Sequence, residues 1–107
     1  MQIQIHTDKN IDGHERFNEY VKRVVSASLD RFADRITRIE VHLSDENGAK
    51  EGKGGDKRCV MEARLEHRQP SAVTHHADSL NDAIDGAVAK LEHMLDSTVG
   101  KLYGNHR

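Results

Sequence analysis

Residues 79–95 read SLNDAIDGAVAKLEHML, and this stretch decides the fold. Leu80, Ile84, Ala87, Val88, Leu91 and Leu95 recur at helical spacing, so one face of a helix is apolar and has to lie on a core. Ser79 is placed to cap the helix N-terminus, with Asp82 three residues on completing a capping box of the S-x-x-D form. Asp82 and Asp85 suit the positive end of the helix dipole. Gly86 is the anomaly, because glycine inside a helix costs about 1 kcal/mol relative to alanine. Beside the small Ala83 and Ala87, it predicts a close approach of this helix to a sheet or to another helix.

The sheet is read outward from that helix. Near the start, QIQIH alternates, with Ile3 and Ile5 on one face and Gln2, Gln4 and His6 on the other, as in a half-buried strand. Asn10 or Asp12 is placed to cap a first helix. Its apolar stripe is Phe17, Val21, Val24 and Val25, extending to Leu29 and Phe32, while Arg16, Glu19, Lys22, Arg23 and Asp30 point away. The valines lower helix propensity, so burial of the stripe has to hold this helix. ITRIEVHL (36–43) and RCVMEARLEH (58–67) alternate again, with Ile39, Val41 and Leu43, then Cys59, Met61, Ala63 and Leu65, directed inward. The turn RQPS around Pro70 precedes a weaker fourth strand, SAVTHHA. Between the second and third strands, SDENGAKEGKGGDK is expected to be a flexible loop over about 44–57.

The order β-α-β-β-β-α implies an α+β fold: a four-stranded mixed sheet with two helices packed on one face. A right-handed crossover through the first helix makes strands one and two parallel. The opposite sheet face, with Gln4, His6, Arg38, Glu40, His42, Arg58, Glu62 and Arg64, is left to water or to a partner. Residues 1–107 are read as one domain, since 107 residues suffice for a single core and not for two.

Composition narrows the function. Lys and Arg number 16 against 18 Asp and Glu, a formal net charge of -2, so the whole-molecule basic field of many nucleic-acid binders is missing. The single cysteine, Cys59, allows no internal disulfide and no all-cysteine zinc site, and its inward position makes it a small core residue. Neither a secretory leader nor an apolar run of about 18 residues is present, so a soluble, cytoplasmic protein without a membrane partner is expected. No nucleophile elbow or phosphate-binding loop occurs, and helix-end roles account for Asp82 and Asp85, so no enzyme, cofactor or small-molecule substrate is expected. In THHAD, His75 and His76 are adjacent on a strand and point to opposite faces, so no metal site is expected from them.

The final helix also carries a resemblance. Asp82, Ala83, Ile84, Asp85, Lys90, Leu91 and Leu95 fill a D-A-I-D-x-x-x-x-K-L-x-x-x-L pattern. Together with MQIQIHTDKNID and LDRFADRITRIEVHL, it resembles the ribosome hibernation-promoting factors, also called ribosome-associated inhibitors, sigma-54 modulation proteins or S30EA proteins. The likeness covers the chain and is most specific at the last helix. It implies a short, single-domain, non-catalytic factor of stressed or resting bacteria, monomeric off the ribosome. Such a factor binds the small ribosomal subunit and its rRNA in the channel for messenger and transfer RNA, and inhibits or preserves idle ribosomes.

On this reading Lys22, Arg23, Arg31, Lys90 and Lys101 are the RNA-phosphate contacts. The sequence departs from the family where Glu92, His93 and Asp96 stand in place of expected cations, which implies weaker or more salt-sensitive binding. The alternative is a protein-interaction module, with mixed charges on its open sheet face, that has diverged from RNA binding.

Overall fold

Alternation and helical periodicity become seven elements in the computed structural model, which describes residues 1–8, 15–45 and 57–103, with side chains as far as Thr98. Strand β1 (Gln2–Thr7) leads to helix α1 (Glu15–Ser28) and a 3-10 turn (Asp30–Phe32); strands β2 (Ile36–Asp45), β3 (Lys57–Leu65) and β4 (Ser71–Ala77) follow, then helix α2 (Leu80–Tyr103). The sheet order is β1-β2-β3-β4, with β1 parallel to β2 and the other pairs antiparallel. This is the α+β arrangement that the periodicities require.

The core follows from the pleat. Ile39, Val41 and Leu43 of β2 and Cys59, Met61, Ala63 and Leu65 of β3 are buried on the inner face. They form one cluster with Val21 and Val25 of α1, Leu29 and Phe32, and Ala83, Ile84, Ala87, Val88, Leu91 and Leu95 of α2. Phe17, Val24 and Leu80 lie at its margin, half-buried. The core is aliphatic apart from Phe32, and no polar or charged residue is buried among the described residues.

Ile36 is buried three residues before Ile39, which plain alternation forbids. The β2–β3 register shifts between Ile36 and Arg38, so Thr37 is an extra residue in a bulge. Its Oγ1 donates to the carbonyl of Arg64 at 3.1 Å, which holds the irregular backbone.

Gly86 answers the anomaly of the last helix. A Cβ at this position would lie 2.1 Å from Cδ2 of His75, so the glycine admits the imidazole of β4 beneath α2. Ser79 Oγ accepts the N–H of Asp82 at 3.1 Å, which is the capping half of the expected box.

Both ends of the loop expected over about 44–57 are strand instead, because Ser44 and Asp45 finish β2 and Lys57 starts β3. Lys57 Nζ lies 3.4 Å from Asp45 Oδ2, and this cross-strand ion pair extends the ladder past the last apolar pair, Leu43 and Cys59. Residues 46–56, and the helix cap expected at Asn10 or Asp12, lie outside the described residues.

The β3–β4 reversal also differs from the expectation centred on Pro70. Arg68 N–H donates to the Leu65 carbonyl at 3.3 Å, and His67 has φ of 61°, so the tight turn comes first and Pro70 only leads into β4. A side chain in the left-handed region costs about 1 kcal/mol that glycine avoids. His67→Gly should therefore raise stability by up to about 1 kcal/mol, and His67→Val should lower it by a similar amount. Thermal unfolding followed by circular dichroism checks both.

Candidate nucleic-acid interface

Positions 19, 22, 23 and 26 share one face of a helix by spacing alone. In α1, Glu19, Lys22, Arg23 and Ser26 line a shallow depression turned away from buried Val21 and Val25. Lys22 and Arg23 are exposed, and neither has an ion-pair partner among the described residues. Their charges are offered to solvent, with Glu19 and Ser26 lining the same depression.

The other expected contacts are placed differently. Arg31 is exposed, and its guanidinium donates to both carboxylate oxygens of Asp96 on α2, with Glu92 Oε2 at 4.0 Å and the Phe32 ring 4.3 Å beneath. This bidentate pairing raises the Arg31 pKa, and the same hydrogen bonds hold the Asp96 carboxyl below its ordinary value. Glu92 and Asp96, read in the sequence as misplaced acids, are thus the partners of a cation on the neighbouring segment. Their i,i+4 spacing was the only signal of such a site.

Lys90 sits on α2 beside β4 and donates from Nζ to the Thr74 carbonyl at 2.8 Å. β4 is an edge strand, so the lysine satisfies backbone that the sheet leaves open. Lys101 lies in the last turns of α2, its side chain outside the described residues. The four of these residues whose side chains are described differ in setting. Lys22 and Arg23 form an open pair, Arg31 is neutralised, and Lys90 lies toward the β4 edge.

The outer sheet face holds a constellation that sequence reading left dispersed. The parallel register sets His6 beside His42, and their rings stack with centroids 4.7 Å apart and planes 14° from parallel. That separation is the ordinary spacing of neighbouring strands. Glu40 Oε1 lies 3.6 Å from His6 Nε2 and 3.4 Å from His42 Nε2, while Arg38 Nη2 holds Glu40 Oε2 at 3.0 Å. His75 and His76 do fall on opposite faces, one half-buried under Gly86 and the other exposed.

No helix among the described residues is long and apolar enough to cross a membrane. Cys59, the one thiol, is buried with its pKa pushed up to about 12 by desolvation, the reverse of an activated nucleophile.

Solved structures share this architecture. The N-terminal domain of Protein Y from Thermus thermophilus superposes with a TM-score of 0.72 at 26% identity, over 92% of this chain and 99% of that one. A ribosomal subunit interface protein from Coxiella burnetii shares the fold with a TM-score of 0.71 at 18% identity, over 94% of this chain and 99% of that one. No curated protein sequence matches the chain significantly. The strand-and-helix order, the final-helix pattern and the Protein Y likeness agree with a match of residues 3–103 to the family described as Sigma 54 modulation protein / S30EA ribosomal protein, and the chain belongs to that family.

Proposed function

We propose that this domain is a non-catalytic, cytoplasmic factor that binds the small ribosomal subunit through its rRNA in the messenger and transfer RNA channel. There it inhibits translation or preserves idle ribosomes under stress, acting as a single domain that is monomeric off the ribosome. The observation that carries the reading is the exposed Lys22–Arg23 face, uncompensated by any ion pair among the described residues, on a member of this family. Such a pair gains most from phosphate, because binding breaks no internal ion pair. Lys90 and Lys101 of α2 are the secondary contacts, and Arg31 joins only by leaving Asp96.

The double variant Lys22→Glu/Arg23→Glu should fold normally, since both side chains are exposed. Its association with purified small subunits should weaken at least about tenfold at moderate salt. The slope of log affinity against log salt should flatten by up to about one unit for each phosphate that the variant no longer neutralises. Lys90 is a less clean probe, because replacing it also removes the bond to Thr74. Asp96→Asn should strengthen association by releasing Arg31. Co-sedimentation over a salt series checks both, and a double variant with unaltered affinity and slope sinks the RNA surface.

The neutralisation of Arg31 by the acids of α2 favours a second reading, a protein-interaction module without RNA binding. On that reading, subunit association would be absent even at low salt.

A further inference from the structure

Two imidazoles and a carboxylate on adjacent strands are a donor set with its own chemistry. One ring nitrogen each of His6 and His42 and a Glu40 oxygen all lie within 4.8 Å of one another. A Zn²⁺ ion bonds nitrogen and carboxylate oxygen at about 2.0–2.2 Å, so tetrahedral donors stand roughly 3.4 Å apart. The two histidine–glutamate separations, 3.4 and 3.6 Å, already match that edge. Only the two nitrogens have to approach, and both rings are about half exposed, at 50% and 46%, and free to tilt.

The surroundings fit as well. Arg38 takes Glu40 Oε2 and leaves Oε1 turned toward the histidines, the orienting role that outer partners play at metal sites. The register sets Glu62 opposite Glu40, a like-charge pair that a bound cation relieves. Beside the histidines an open depression of about 260 Å³, with Asp8 on its rim, leaves room for water as a further ligand.

We infer that His6, Glu40 and His42 form a binding site for a single transition-metal dication of the Zn²⁺ class on the outer face of the sheet. Two nitrogens and one oxygen select such ions over Mg²⁺ or Ca²⁺, which require oxygen cages. The bound ion ties β1, which pairs only with β2, to the body of the sheet. The site lies away from the helices and is independent of the ribosome reading.

The test uses the full chain, freed of metal with a chelator and titrated with ZnCl2 by calorimetry and by imidazole NMR. One ion per chain is expected, with the resonances of His6 and His42 shifting together. The melting temperature should rise by at least about 10 °C at a hundredfold excess of free Zn²⁺ over the dissociation constant. His42→Gln and Glu40→Gln should each weaken binding at least tenfold, and the control His76→Gln should leave it unchanged. An isotherm unaltered in His42→Gln and Glu40→Gln overturns the proposal. So does a Zn²⁺ response confined to His75, His76 or His93, or no response at all.

Discussion

Replacement of Gly86 by alanine is expected to destabilise the domain, although helix propensity alone favours alanine by about 1 kcal/mol. The new Cβ would stand 2.1, 2.2 and 2.5 Å from Cδ2, Nε2 and Cγ of His75. Because Cγ is the root of the ring, rotating the imidazole about its Cβ–Cγ bond does not clear the contact. The whole side chain has to swing away from α2 or the helix has to lift. Overpacking of this kind costs about 1–3 kcal/mol, so after the propensity gain the net loss should be up to about 2 kcal/mol and the melting point should fall by up to roughly 10 °C. His75→Ala/Gly86→Ala should be more stable than Gly86→Ala alone, which a double-mutant cycle by denaturant unfolding reads as coupling. A Gly86→Ala protein that melts above the parent would mean that α2 does not rest on His75.

Alkaline solution should weaken the domain through Cys59 in particular. In the unfolded chain this thiol loses its proton near its ordinary 9.0, and in the core burial raises that value to about 12. Between those values the native state holds a proton that the unfolded state has released, so stability falls as pH rises. The contribution is intact below about pH 9, and up to about 4 kcal/mol is lost by pH 12. Cys59→Ala should start lower, because it opens a cavity, and then decline less steeply. The two proteins differ at this one residue, so the difference between the two pH curves belongs to Cys59. Since the thiolate is the nucleophile, native protein at pH 8 should alkylate about a thousandfold more slowly than unfolded protein.

What the sequence disclosed was periodic. The inward Cys59, Met61, Ala63 and Leu65 and the stripe from Ala83 to Leu95 are buried as alternation and helical spacing require. Gly86 announced a close approach, and only the sheet register could reveal that His75 fills it. Thr37 escaped because a bulge breaks period two without any glycine or proline to mark it. At the turn, Pro70 drew attention from His67, whose positive φ carries no strong residue signal. The candidate surfaces were less legible because their partners are remote in the chain. Asp96 is 65 residues from Arg31, and His6 meets His42 only through parallel pairing. Exposed Lys22 and Arg23 could be read locally, since their position depends on one helix alone.

Arg31 and Asp96 give the protein a counterion of its own. A solvated lysine that docks on RNA displaces a condensed cation from the polyanion, and the gain is the mixing entropy of that released ion. Arg31 enters the same exchange only by abandoning a carboxylate, which then attracts a cation from solution. One ion leaves the nucleic acid and another gathers at Asp96, so this contact adds almost nothing to the salt slope. The basic residues of the chain therefore differ in thermodynamic rank: some draw on the ionic atmosphere of a polyanion, while Arg31 trades one fixed anion for another.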